Sequence, residues 1–235
     1  MRINNTKILI TGEISGFLLK EVIAKGIDVD VIPFIQTKTI IAKKVRQQIE
    51  EMSALDAIVI FTSSNAVEAI HARLPNKKPN WKIYAVGNST ASLVKKIFQE
   101  GSLTAVADNA VALAEKIISD KNSIKEVYFF CGDKRRDELP ALLVKNNIVV
   151  HEVEVYTTTI LHHKIEKDYD GILFFSPSAV EGFFTGNVIN KKTVLFAIGN
   201  TTANEIKRFS NNEILVSDTP EKKALVEKML SFFER

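Results

Sequence analysis

Four short segments combine a chain turn with groups that can bind anions: TSSN at 62–65, GNST at 87–90, SPSA at 176–179 and GNTT at 199–202. Each follows an apolar run and precedes a helix-like pattern, so each reads as a strand-to-helix turn. The first amides of a helix lack an intrahelical partner, and that end is electropositive. The candidate ligand-binding side chains are therefore Thr62, Ser63, Ser64, Asn65, Ser89, Thr90, Ser176, Ser178, Thr201 and Thr202. With the amides beside them they suit carboxylates or phosphates, at ~0.3–1 kcal/mol for each helix start. The same residues also have a plain structural use. Ser178 with Glu181, and Thr202 with Glu205, match the S/T-x-x-E capping box.

Two further stretches offer chemistry. CGDKRRDELP, residues 131–140, is the densest basic cluster, and Arg136 or its neighbours Lys134 and Arg135 could reach a ligand carboxylate. Arginine offers the bidentate geometry for that task. Tyr156 lies in an extended stretch, where its phenol could donate a proton or orient a leaving hydroxyl, or simply pack. The four histidines and the single Cys131 form no nucleophilic triad and no set with metal-ligand spacing, and Trp81 reads as packing. A Walker A lysine motif and G-x-G-x-x-G are both missing, so a nucleotide has little support.

The elements that must position these groups occur twice. Gly87 and Gly199, like Ala91 and Ala203, are 112 residues apart, and FTSSNAVE at 61–68 aligns with FFSPSAVE at 174–181. ALAEKII at 112–118 matches ALVEKML at 224–230, and KILITG ending at Gly12 resembles VYFFCG ending at Gly132. Two copies indicate duplication, not a solenoid. The strands expected are KILIT, VDVIPFI, AIVIF, KIYAV, LTAVA, VYFFC, VVHEVEVY, GILFF, VLFAI and EILVS, mostly continuous apolar runs of the kind buried on both faces of a parallel sheet. Helical patterns alternate with them, including one from Thr90 to Glu100 and one from Pro220 to Phe233. The fold class is α/β, with doubly wound domains. Residues 29–38 and 149–158 break the alternation as long extended stretches and read as interdomain connections, with Pro33 where its missing donor is not needed. If a pseudo-twofold relates the copies, four donor-rich turns would face one another across a cleft suited to a polyanion.

At 235 residues, with 46% apolar and 25% charged residues, the chain suits two globular domains. A net charge of +3 argues against nucleic acid. KILIT is too short for a signal peptide or a membrane span, and one cysteine fits a reducing compartment, so a cytoplasmic location is expected.

In order and spacing, FTSSNAVE, YAVGNSTASLV, CGDKRRDELPALL, VEVYTTT, FFSPSAVEGFF, AIGNTTANEIK and TPEKKALVEKML resemble the landmarks of uroporphyrinogen-III synthase, from Lys7 to Leu230. The resemblance implies two flavodoxin-like parallel-sheet domains, 1–34 with 158–235 and an inserted 37–155, joined by a two-stranded ribbon near 31–38 and 150–158. It implies closure of the linear tetrapyrrole hydroxymethylbilane to uroporphyrinogen III, with loss of water and inversion of ring D, by a monomer needing no metal or cofactor. Tyr156 matches the tyrosine proposed to assist departure of the hydroxyl, and Arg136 a recurrent arginine after the central glycine. The hydroxyl turns would hold the acetate and propionate groups. ILITGE lacks the arginine and proline common in bacterial members, and Lys134 and Arg135 stand where small residues are common. The alternative is a two-lobed protein that binds a polyanion without chemistry.

Overall fold

The apolar runs form the central strands of two parallel sheets in the computed structural model, which describes residues 5–75, 77–98, 100–120 and 124–234. Residues 1–4 of the amino-terminal stretch, and Gln99 within the helix expected from Thr90 to Glu100, lie outside the described residues. In chain order the strands are β1 (Lys7–Ile10), β2 (Asp28–Val31), β3 (Ile35–Thr39), β4 (Ala57–Phe61), β5 (Trp81–Val86), β6 (Leu103–Ala107), β7 (Glu126–Gly132), β8 (Val149–Ile160), β9 (Gly171–Phe174), β10 (Val194–Ala197) and β11 (Ile214–Val216). The helices are α1 (Gly16–Ala24), α2 (Lys43–Met52), α3 (Ser64–His71), α4 (Asn88–Ile97), α5 (Ala110–Ser119), α6 (Glu138–Lys145), α7 (Pro177–Phe184), α8 (Asn200–Ile206) and α9 (Lys222–Phe233).

The chain divides into two compact units, Met1–Gln36 with Thr159–Arg235, and Thr37–Thr158. The first holds the parallel sheet β2-β1-β9-β10-β11. Every residue of β9 and β10 is buried, which is why these strands read as unbroken apolar runs. Helices α1 and α9 cover one face around Ile8, Ile10 and Phe196, while α7 and α8 cover the other around Leu9, Phe174 and Leu195. Helices on both faces make the unit doubly wound.

The second unit repeats this arrangement in permuted chain order. Its sheet runs β3-β8-β7-β4-β5-β6, with parallel pairs from β8 to β6. The sequence repeat pairs β7 with β1, β4 with β9 and β5 with β10, so β8-β7-β4-β5-β6 and β2-β1-β9-β10-β11 are one topology. Numbered by repeat, each is the flavodoxin-like order 2-1-3-4-5. Helices α2, α3 and α4 pack on one face around Phe61 and Phe130, and α5 and α6 on the other around Ile60 and Phe129.

The two unusual extended stretches prove to be composite. VDVIPFI is not one strand: β2 belongs to the first sheet and ends before Pro33, and β3 begins after it. Ile32 donates to the carbonyl of Ile10 and Phe34 to that of Thr11, so Pro33 occupies the place between two ladder bonds where no donor is required. Residues 149–156 of β8 pair in parallel with β7, so this stretch is a strand of the second sheet as well as a connection. Its continuation lies beside β3, where Ile40 donates to Val155 and Leu161 to Phe34, an antiparallel sequence of partners.

The capping-box expectations need correction. Ser176, not Ser178, caps α7, its Oγ accepting from the amide of Ala179 at 3.2 Å, because Pro177 fits the first helical position and places Ser178 inside the helix. Helix α8 starts from Gly199 without a side-chain cap, and Thr202 is buried within its first turn.

Candidate active site

In a 2-1-3-4-5 sheet, the crevice beyond the carboxyl ends of strands 1 and 3 is the place where ligands sit. In the second unit those ends are Gly132 of β7 and Phe61 of β4, and Tyr156 of the neighbouring β8 lies over the first of them. The placement comes from a register shift. Cys131 pairs with Glu154, but Gly132 pairs with Tyr156, so Val155 is the extra residue of a bulge. Val153, Val155 and Tyr156 consequently all pack against the same core cluster, in spite of the alternation that the sequence of β8 displays.

The contact between Gly132 and Tyr156 leaves room for no side chain. A Cβ at Gly132 would stand 2.4 Å from Tyr156 Cζ, 2.5 Å from Cε2 and 2.8 Å from the phenolic oxygen. Asp133 then clasps β8 on both sides of the tyrosine's following residue. Its amide donates to the carbonyl of Tyr156 at 3.2 Å, and its Oδ1 accepts from the amide of Thr158 at 2.8 Å. Burial raises the Tyr156 phenol above its ordinary 10, and a hydrogen bond from Ser63 pulls the other way. Ser63 is also the cap of α3, its Oγ accepting from the amide of Asn65 at 3.2 Å. One serine thus ties the start of α3 to the tyrosine, and the phenol remains protonated at neutral pH, fit to donate and unfit to act as a base.

The other residues singled out in the sequence are distributed as follows. Thr62, Ser63, Ser64 and Asn65 are half-buried in the turn from β4 into α3. At the next strand end, Gly87 has a φ of 78°, a left-handed conformation natural to glycine, and Ser89 is exposed in the first turn of α4. Thr90 is buried at 3% exposure, so it packs inward and offers a ligand no exposed hydroxyl. In the first unit Ser176, Ser178 and Thr201 are half-buried at the ends of β9 and β10, while Thr202, at 2% exposure, packs inward as Thr90 does. Arg136 is exposed, its Nη1 3.9 Å from Glu138 Oε1. Arg135 is committed to structure, bonding Asp137 at 2.6 Å and pairing with Glu152 of β8. Burial, then the charge of Glu152, pushes the Cys131 thiol up to about 12, which makes it inert at neutral pH. Among the described residues, no helix is long and apolar enough to cross a membrane, and no group of three or more His, Cys, Asp or Glu could hold a metal ion.

The sequence profile of the family described as uroporphyrinogen-III synthase HemD matches residues 18–227. The chain belongs to the uroporphyrinogen-III synthase family. Solved structures of that name share its fold. The uroporphyrinogen-III synthetase of Helicobacter pylori 26695 superposes with a TM-score of 0.66 at 18% identity, over 97% of this chain and 99% of the other. A mutant uroporphyrinogen III synthase of Thermus thermophilus gives 0.64 at 13% identity over 97% and 98%, and the wild-type protein in another crystal form 0.52 at 16% over the same shares.

Two residues of this candidate site were not singled out in the sequence. Gly132 reads there only as a repeat landmark, and Asp133 lies among the bases that follow. A Gly-Asp pair directly after a buried strand is the available signal, since such a glycine marks a close approach of another group.

Proposed function

We propose that the protein closes hydroxymethylbilane to uroporphyrinogen III, with loss of water and inversion of ring D, and that Tyr156 assists departure of the hydroxyl. The family assignment names the reaction, and the observation that carries the role of Tyr156 is its protonated phenol at the carboxyl end of β7, seated on Gly132 and bonded to Ser63. The phenol donates a proton to the leaving oxygen, which departs as water. The electron-rich pyrrole left behind carries the positive charge by delocalisation, so the barrier needs only modest acid help. Geometry decides the product: ring D must be presented at its substituted carbon to form the spiro intermediate, and binding energy from remote carboxylates holds that pose.

Those carboxylates are held by the turns. In the second unit Thr62, Ser63, Ser64 and Asn65, with Ser89 and the amides beside Thr90, face the substrate, assisted by the exposed guanidinium of Arg136. In the first unit Ser176, Ser178 and Thr201, with the amides beside Thr202, serve the same purpose. Each compact unit is read as one domain. On this reading the reaction, a cyclisation with loss of water and no net redox change, runs without a metal or cofactor, and the protein is a cytoplasmic monomer that binds no nucleic acid. No observation favours a non-catalytic polyanion binder.

The test is direct. The purified protein is given freshly made hydroxymethylbilane, and the product isomers are separated after oxidation. Uroporphyrin III formed above the spontaneous rate supports the assignment. Uroporphyrin I alone, at the spontaneous rate, overturns it.

A further inference from the structure

The first unit has its own crevice at the ends of β1 and β9, and it is built from different side chains. Thr11 closes its floor, donating through both its amide, at 3.1 Å, and its Oγ1, at 2.8 Å, to the carbonyl of Leu173. Gly12 follows, and a Cβ there would stand 3.1 Å from the ring of Phe175, so this ring takes the place over Gly12 that Tyr156 takes over Gly132. A phenyl ring has no proton to give. What the crevice has instead is a cation: Lys222 Nζ stands 5.2 Å from the centroid of the Phe175 ring and donates to the backbone carbonyl of Glu13 at 2.6 Å. The lysine comes from the first residue of α9, far along the chain, and the Phe175 ring and the Glu13 carbonyl both hold its ammonium at the β1–α1 turn.

We propose that Lys222 is a carboxylate-binding residue of the synthase, holding an acetate or propionate group of the substrate at the ends of β1 and β9. This inference rests on the synthase reading above. Three physical points support it. The ligand crevice of this fold lies at those strand ends. A lysine ammonium has three donors and binds carboxylate as a point charge. The aromatic face and the carbonyl hold the side chain in place before the substrate arrives, so less rotamer entropy is lost on binding.

The test uses steady-state kinetics with freshly generated hydroxymethylbilane, in wild type, Lys222→Gln, Lys222→Arg and Lys223→Gln. Lys223 is the comparator because it is adjacent on α9 and pairs with Glu227 of the same helix at 3.5 Å. Lys222→Gln is expected to raise KM roughly three- to tenfold, the range of one charge-assisted contact at a wet site, with kcat within about twofold. It is also expected to flatten the dependence of KM on ionic strength, which loss of a merely structural contact does not do. Lys222→Arg restores most of KM, and Lys223→Gln matches wild type. The affinity for the octacarboxylate uroporphyrin III, titrated by its Soret band, falls in parallel with KM. A Lys222→Gln enzyme with wild-type KM and salt dependence, or one that loses kcat at unchanged KM, overturns the inference while the wild-type isomer assay still stands. A wild type that yields only the type I isomer overturns both.

Discussion

Substituting Gly132 by alanine tests the site at its tightest point. The added methyl would lie 2.4 Å from Tyr156 Cζ, against an ordinary contact of at least 3.4 Å, so the ring must retreat by 1.0 Å. It cannot do so freely, because Asp133 holds the carbonyl of Tyr156 and the amide of Thr158, and Val155 beside it is fully buried. Overpacking a site of this kind costs about 1–3 kcal/mol, so the unfolding midpoint should fall by several degrees. Misplacing a reacting group by ~1 Å costs about 100-fold in rate, so kcat for uroporphyrinogen III should fall by about that factor, with KM much less affected. The assay is kcat and isomer ratio, alongside circular dichroism to show that the variant is folded. If the loss acts through the phenol, Gly132→Ala combined with Tyr156→Phe should be no slower than the slower single variant, which is the non-additivity of residues acting as one unit. Wild-type kcat in Gly132→Ala, or multiplied losses in the double variant, would refute the reasoning.

Further outcomes follow from the same geometry. Tyr156→Phe should slow turnover about 10- to 100-fold, and wild-type kcat should show no falling limb below pH 10, because burial raises the phenol above that value; a limb near neutrality would assign the proton to another group. Ser63→Ala should cost about 1 kcal/mol as a lost cap and lower kcat as well, whereas Ser63→Thr should recover both, as unfolding and kinetic assays would show. In the first unit, Tyr169 donates to Asp30 Oδ2 at 2.6 Å, and this bond, then that of Lys167, holds Asp30 below 3.8. A depressed carboxylate stabilises the fold above its unfolded value and loses that contribution as pH falls through its folded one. Tyr169→Phe should therefore destabilise by about 1–3 kcal/mol at pH 7, with a penalty that shrinks as pH falls below 3.8 in urea titrations; a constant penalty would contradict the assignment.

The fold class was legible because its main signal is burial. Strands such as GILF and VLFA are apolar at every position since both faces of β9 and β10 are covered, and that pattern survives in the sequence without any knowledge of neighbours. Helix starts were legible as places but not as chemistry. Ser176 and Ser178 differ by two positions in one turn, yet one caps the helix and the other lies within it, because Pro177 between them takes the first helical position. Thr90 and Thr202 look like donors in GNST and GNTT, but the third residue of these starts turns inward onto the core. A hydroxyl residue at a helix start therefore identifies the end of a strand and leaves its own direction open.

Tyr156 shows why the remainder of the site was not legible. Strict alternation along HEVEVYT would send Tyr156 to the side opposite Val155, and on that reading the phenol would leave the core cluster that Val155 joins. The bulge at Val155 reverses this, placing both residues on the cluster and the tyrosine opposite Gly132. A bulge is a property of two strands at once, fixed by the closeness that Gly132 allows and by the grip of Asp133, 23 residues before the tyrosine in the chain. The duplication sharpens the argument, because Gly12 and Gly132 are equivalent in the repeat and each admits an aromatic ring, Phe175 in one unit and Tyr156 in the other. Tyr156 lies within β8 whereas Phe175 stands in the turn just past β9, so the shared glycine is the structural constant and the ring upon it the variable. The proposed proton donor therefore lies in the unit whose glycine receives a phenol, while the other unit places an apolar ring next to Ser176, the capping serine that is the repeat counterpart of Ser63.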